Sequence, residues 1–282
     1  MKILVTGSNG YLGSVFFNKY NNKYKFEKFS LLIQKLEDIN FYAIELVLHC
    51  AALVHQKVEH PYEKYHEINV EYPLKLAKLA KENGVKQFVF ISTIAVYGED
   101  EEKLDENTIC NPIKPYGKSK LEAEKELLKL NDDNFVVSII RPPMVYGKDA
   151  PGNIDSLIKL VKKLPIIPLG GIENKRSFIS IQNLCHMIDE VIIQQKAGIF
   201  LASDDESLST TRLIELIAKN LDKKIYLLKI PFFETLLKIV KPSFHKRLYG
   251  SLEVDNSITK EKLNLKNPYS VEDGIKLMIN GE

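Results

Sequence analysis

Lys2-Ile3-Leu4-Val5-Thr6-Gly7-Ser8-Asn9-Gly10-Tyr11-Leu12-Gly13 is the stretch whose reading decides the fold. Ile3–Val5 is a short apolar run of strand type, and Leu12–Tyr20 reads as a helix. The turn between them has the spacing G-x-x-G-x-x-G. Glycines so placed permit a tight turn, close approach of the backbone to a pyrophosphate, and close packing of helix on strand. The unpaired N–H groups that open the helix then suit a phosphate. Gly7, Gly10, Tyr11, Leu12 and Gly13 are therefore candidate dinucleotide contacts.

The alternation continues outward from this unit. Strand-like runs at Tyr24–Phe29, Leu46–Cys50, Phe88–Ile91 and Val136–Ile140 are separated by helical stretches at Val70–Asn83 and Lys118–Leu130. Leu46–Cys50 and Phe88–Ile91 are apolar almost without a break. Such runs suit strands of a parallel sheet covered on both faces. Val70–Asn83 places Leu74, Ala77 and Ala80 on one face and stops at Asn83-Gly84, an ordinary helix C-terminus. Strands alternating with helices predict a doubly wound parallel α/β sheet.

From about residue 148 the character changes. Pro151-Gly152 and Gly170-Gly171 bracket a predicted helix at Ile154–Lys163. Strand and helix follow over Phe178–Gln194, then a strand at Ile199–Ala202, a helix at Thr211–Leu221 and a strand at Lys224–Ile230. The expected organisation is a dinucleotide-binding domain over 1–147, rejoined by 178–203, with most of 148–282 forming a smaller α/β substrate-binding lobe. A cleft at the sheet's carboxyl edge is where ligands of such folds bind.

At 282 residues and 45% hydrophobic content, the chain can bury a substantial core. Its 39 basic and 37 acidic residues nearly cancel, which gives no sign of a nucleic-acid partner. Cys50, Cys110 and Cys185 are far apart and form no C-x-x-C pair. That argues against a disulfide framework or thiolate zinc site and fits a reducing cytoplasm. No apolar run approaches the ~20 residues of a membrane span, and the N-terminus lacks the form of a signal peptide. A soluble, cytoplasmic protein with no transmembrane segment is expected.

Tyr116-Gly117-Lys118-Ser119-Lys120 sets a phenol and an ammonium four residues apart, on one face of a predicted helix. A nearby fixed positive charge favours the phenolate, which suits proton exchange with an alcohol or sugar hydroxyl. The second strand ends Glu27-Lys28-Phe29-Ser30, without the carboxylate that ordinarily holds the adenosine ribose of NAD. NAD and NADP both stay open as cofactor. Lys28 or Lys35 is either near a 2′-phosphate or a solvated surface charge.

Taken in order, these segments resemble the extended short-chain dehydrogenase/reductases, in their nucleotide-sugar 4-epimerase and 4-ketoreductase branch. After the Gly-rich turn, Asp38-Ile39 is similar to the family's acidic–apolar pair, and His49-Cys50-Ala51-Ala52 to its H-x-A-A segment after the fourth strand. Asn69-Val70 resembles the pair that opens the next helix, and Ile91–Gly98 the S-[ST]-x-x-V-Y-G strand end. Tyr116-x-x-x-Lys120, Arg141-Pro142-Pro143-Met144-Val145-Tyr146-Gly147 and Asn174–Ile181 complete the series. Leu248–Asp255 and the Gly152-Asn153 helix start add a likeness to bacterial enzymes of surface-polysaccharide sugars.

The resemblance implies a Rossmann-type fold and a catalytic set of Thr93, Tyr116 and Lys120, with Ser92 competing for the place of Thr93. It implies that Asp38 and Ile39 contact adenine, that Ala51, Ala52 and Pro142 border the cofactor, and that Lys120 lowers the Tyr116 pKa and bonds the nicotinamide ribose. Thr93 would bond the sugar's C4 oxygen, and Arg176 would pair with the UDP diphosphate. Asn153 either joins Arg176 there or caps a helix. His49 and His55 are read as packing or cleft wall, with no metal implied.

The leading functional expectation is reduction of the C4 ketone of a UDP-4-keto-6-deoxy-hexose or hexosamine. The alternatives are a UDP-hexose or UDP-N-acetylhexosamine 4-epimerase holding NAD tightly, an epimerase on a polyprenyl-linked sugar, and a non-catalytic dinucleotide-binding regulator. Pro231–Lys241, apolar with Lys246 and Arg247 nearby, reads either as a membrane-surface segment or as a helix packed on its own lobe. The resemblance also implies a homodimer formed through two long helices.

Overall fold

The computed structural model describes residues 1–30, 33–54, 60–99 and 101–281. Within them the apolar runs become a six-stranded parallel sheet. Its strands are β1 (Lys2–Thr6), β2 (Lys25–Phe29), β3 (Leu46–His49), β4 (Gln87–Ile91), β5 (Val136–Arg141) and β6 (Gly198–Leu201). Their spatial order is β6-β5-β4-β3-β1-β2. Every residue of β3 is buried, as are Gln87–Phe90 of β4, which is why those runs lack polar alternation.

Eleven helices accompany the strands among the described residues: α1 (Tyr11–Tyr20), α2 (Tyr62–His66), α3 (Tyr72–Glu82), α4 (Pro115–Leu128), α5 (Asn153–Lys163), α6 (Ile181–Gln194), α7 (Thr210–Asn220), α8 (Phe233–Val240), α9 (Pro242–Tyr249), α10 (Ser257–Leu263) and α11 (Val271–Asn280). Successive strand residues point to opposite faces. Ile3, Val5, Leu48 and Val89 accordingly pack on one side with Phe16 of α1 and Leu184 and Ile188 of α6. Leu4, Val47, Phe88 and Phe90 pack on the other with Leu76 and Ala80 of α3 and Leu127 of α4. A further cluster joins Val161, Ile167, Leu213, Ile217 and Ile275 from α5, α7, α11 and the segment after α5.

Four sequence expectations need adjustment. The helix predicted over Val70–Asn83 starts earlier, as α2, and passes through a π-helical turn at Glu67–Glu71 before α3. Asn69-Val70 therefore lies inside a helical bulge rather than opening a helix. Pro115 supplies the first turn of α4, so that helix covers Pro115–Leu128 instead of Lys118–Leu130. The strand expected over Lys224–Ile230 is only Tyr226–Leu227, paired with Ile166–Ile167. Between β2 and β3 the described residues form a 3₁₀ turn at Leu36–Asp38 and no strand, so the His49–Ala52 segment follows the third strand of this sheet.

Among the described residues no helix is long and apolar enough to cross a membrane. The packing centre near β3 and β4 is aromatic: the His49 ring stacks at 5.9 Å from Phe88 and 5.7 Å from Phe90. Phe88→Ala empties one side of this stack and is expected to destabilise the protein by about 3–5 kcal/mol. A lower urea midpoint with an unchanged slope is the expected reading in equilibrium denaturation.

Candidate active site

Gly7 has φ +67°, and a Cβ there would lie 2.7 Å from the Ala51 nitrogen. Only glycine fits, so the turn after β1 rests directly on the loop after β3. The Gly10 N–H donates to the Gly7 carbonyl at 2.9 Å, closing the turn. Gly13 is buried against that same carbonyl, where a Cβ would clash. No side chain caps the start of α1, which leaves its first N–H groups without a side-chain acceptor. Leu12 packs on the core below, and the Tyr11 hydroxyl is buried without a protein partner among the described residues.

The loop after β3 is held from beneath. Thr6 Oγ1 accepts from the Ala51 N–H at 3.4 Å and lies 2.9 Å from His49 Nδ1. Burial drives the His49 pKa down to about 3, so its ring is a neutral packing element. Asn69 bonds the same loop from the other side: its amide accepts from the Leu53 N–H and donates to the Leu53 carbonyl and to Ser119 Oγ of α4. Ala51 and Ala52 are half-buried between these supports.

α4 brings the phenol and ammonium into place. Tyr116 and Lys120 share a face of this helix, and Gly117 lets its first turn approach the Ile94–Tyr97 3₁₀ turn closely. A Cβ on Gly117 would sit 2.5 Å from the Ala95 carbonyl oxygen. Thr93 caps that 3₁₀ turn by accepting the Ala95 N–H at 3.2 Å, and its hydroxyl is near enough to the Tyr116 phenol to favour the phenolate. Pro142, buried, accepts the Ile94 N–H at 3.1 Å and steadies the turn from β5. Ser92 is committed elsewhere: its buried hydroxyl donates to Glu124.

Burial pushes the Tyr116 phenol up to about 12, against the opposing influence of the Thr93 hydroxyl. Burial pushes Lys120 down to about 7, with Glu124 acting against that fall. Its ammonium lies 3.6 Å from the Phe90 ring centroid and has no hydrogen-bond partner among the described residues. The sequence reading had Lys120 lowering the Tyr116 pKa. In the cofactor-free structure burial dominates instead, raising Tyr116 and reducing the fraction of Lys120 that is charged near neutral pH.

Below Lys120 lies a contact that motif reading passed over. Arg141, ending β5, grips Glu124 of α4 with Nε 3.1 Å from Oε1 and a second bond from Nη2 to Oε2. Its Nη1 donates to the Tyr97 hydroxyl at 2.8 Å. The pair is 4% and 1% exposed. Tyr116, Lys120 and Glu124 repeat every four residues, so an acid on the inner face of a helix was the available signal. Asn69 offered none beyond its motif.

The remaining candidates are more scattered. Asp38 is exposed and closes the Leu36–Asp38 turn by accepting the Lys35 N–H at 3.4 Å, while Ile39 packs on the core. Lys28 lies over the Phe17 ring at 3.6 Å, and Lys35 is exposed. Arg176 is half-buried, donating to the Gly250 carbonyl at 3.1 Å, and burial lowers its pKa. Asn153 begins α5, but its side chain lies outside the described residues, as do His55 and Asp100. Among the described residues no cluster of His, Cys, Asp and Glu is arranged to hold a metal.

The NAD dependent epimerase/dehydratase family matches residues 3–200. The chain belongs to this family. A UDP-glucose 4-epimerase of Vibrio cholerae is 37% identical, covering 97% of this chain and 93% of that one. An N-acetyl-alpha-D-glucosaminyl-diphospho-ditrans,octacis-undecaprenol 4-epimerase of Escherichia coli O157:H7 is 28% identical over 64% of this chain and 56% of its own. The fold is also that of UDP-glucuronic acid 4-epimerase from Bacillus cereus, solved with NAD: TM-score 0.77 at 21% identity, covering 100% of this chain and 98% of that one. The ordered motifs and the parallel α/β sheet thus agree with an NAD(P)-dependent epimerase-family enzyme.

Two outcomes follow from the buried charges. Arg141→Leu strands the Glu124 carboxylate and should cost about 3–5 kcal/mol, whereas adding Glu124→Leu should recover most of it. Chemical denaturation of the single and double variants measures both. Lys120, with a folded pKa of about 7 against an unfolded ~10.4, leaves the unfolded chain binding the extra proton between those values. The cofactor-free protein should therefore gain stability as pH rises from 7 toward 10, and Lys120→Met should flatten that slope in thermal melts.

Proposed function

We propose that this enzyme exchanges hydride and proton at C4 of a UDP-linked sugar, using NAD or NADP. One observation carries the reading: the Thr93 hydroxyl and Tyr116 phenol are neighbours, while Lys120, one turn on, is buried without a hydrogen-bond partner among the described residues. An isolated buried ammonium is costly, so its place makes sense when an outside hydroxyl completes it. The nicotinamide ribose fits that need, and the Gly7–Gly13 turn with the uncapped start of α1 suits the pyrophosphate. Asp38 and Ile39 would border adenine, and Ala51, Ala52 and Pro142 the rest of the cofactor.

A bound nicotinamide would supply the hydride chemistry at the sugar's C4. The chain's own residues manage the oxygen. Thr93 positions it by hydrogen bonding, and Tyr116 gives up or takes its proton. With a pKa near 12 the phenol is protonated at neutral pH, ready to donate to a C4 ketone oxygen. A charged Lys120 favours the phenolate needed for the opposite direction. Arg176 and Asn153 would hold the UDP diphosphate.

Epimerisation is supported by the near full-length Vibrio cholerae relative. Net reduction of a 4-keto-6-deoxy sugar is supported by the bare tip of β2, where no carboxylate favours tightly held NAD over exchangeable NADP. The setting we propose is a cytoplasmic homodimer serving surface-polysaccharide sugars. Product NMR with UDP-glucose, UDP-GlcNAc and UDP-4-keto-6-deoxy-GlcNAc, under each cofactor, separates the two. Interconversion of 4-epimers with copurifying NAD marks the epimerase; NADPH consumption only with the keto sugar marks the reductase.

Tyr116→Phe should lower turnover by about 10²-fold or more while leaving cofactor binding intact. Thr93→Ala should act in the same direction. An unchanged rate in Tyr116→Phe would refute the proton-exchange role.

A further inference from the structure

Among the described residues, eight of the seventeen exposed large apolar side chains fall within residues 226–244. They centre on the α8–α9 hairpin, whose two helices are joined through Lys241 alone. α8 is apolar on two faces. Phe233 and Leu237 turn inward to the second core, while Leu236, Ile239 and Val240 are 58%, 76% and 63% exposed. A helix serving only its own lobe keeps its outer face polar. This one does not.

Phe232 is the sharpest case. It is 86% exposed and holds φ +62°, a left-handed conformation that bulky residues rarely adopt. Neither packing nor backbone preference explains a phenylalanine there. Around it, residues 229–247 carry Lys229, Lys238, Lys241, Lys246 and Arg247 against Glu234, a net charge of 5 − 1 = +4. The whole chain carries only +2, so positive charge is concentrated where apolar surface is exposed, even with Glu99 facing Lys246 and Arg247.

We propose that the α8–α9 hairpin docks the enzyme on an anionic lipid surface, with Phe232, Leu236, Ile239, Val240 and Phe244 entering the headgroup–acyl boundary. The surrounding cations have long apolar stems that let their charges reach lipid phosphates while the helix face sinks. A second copy of the chain is the poorer occupant. A two-fold contact through this patch would set each cluster of five cations against its equivalent. The hairpin also forms a wall of a cavity of about 690 Å³, lined by Phe232, Glu234 and Thr235 on one side and Gly170, Glu173 and Asn174 on another. Asn174 donates to the same Gly250 carbonyl as Arg176. Docking would therefore hold that cavity, and the nearby arginine, at the height of the lipid phosphates.

The chain contains no tryptophan, so Phe232→Trp supplies a single reporter. With phosphatidylcholine/phosphatidylglycerol vesicles, its emission should shift to the blue and the full-length protein should co-sediment. Pure phosphatidylcholine should bind it far less. Leu236→Ser with Ile239→Ser should weaken vesicle binding by about tenfold or more, while turnover of a soluble UDP-sugar stays unchanged. Tyr116→Phe should bind vesicles like the unaltered protein, which separates this inference from the proposed chemistry. Absence of binding to anionic vesicles, or equal binding after the double substitution, overturns it. So does loss of a concentration-dependent dimer in the double variant without any change in vesicle binding.

Discussion

The Arg141–Glu124 ion pair fixes the structure on which the site depends. It joins the last residue of β5 to the inner face of α4, two turns below Tyr116 and one below Lys120. Ser92 and Tyr97 bond to the same two side chains, so the end of β4 and the turn after it share the anchor. Four chain segments thereby take their register from one buried pair. Such pairs contribute little net stability relative to apolar packing. Their value here is in setting position: a helix that slid by one residue would turn Tyr116 away from Thr93.

The site trades stability for reactivity around that anchor. Among the described residues Lys120, buried over Phe90, has no protein acceptor, and the Tyr11 hydroxyl is similarly unsatisfied. The surrounding architecture is by contrast well satisfied, with Asn69 bonding Leu53 at both its N–H and carbonyl and also Ser119. The unsatisfied groups thus lie where a cofactor is proposed, and the satisfied ones behind them. Burial acts oppositely on the two titrating groups, raising Tyr116 and lowering Lys120. Both therefore shift toward their neutral forms in the cofactor-free protein.

Much of this was legible from local chemistry. Unbroken apolar runs identified β3 and β4, and the glycine spacing identified a turn that tolerates no Cβ at Gly7. What escaped was information held in three dimensions. The π turn at Glu67–Glu71 leaves no mark in a 3.6-residue periodicity, so its helix was started too late. The preference for Thr93 over Ser92 came from alignment within a motif; the structure adds a physical cause, since Ser92 is bonded to Glu124. The effect of Lys120 on Tyr116 could not be read from spacing at all. Separation of four residues fixes a shared face, whereas solvation decides whether the charge survives there.

The π turn has a consequence for how this helix can evolve. One extra residue is held between α2 and α3, and each residue of an α-helix turns the chain by about 100°. Removing it would make the helix regular but rotate everything before it relative to everything after it. Tyr62 and His66 now reach Glu122 of α4 from the leading side, while α3 packs into the sheet from the trailing side. The bulge acts as a phase shifter, letting one continuous helix address two partners that no single regular stripe could face together.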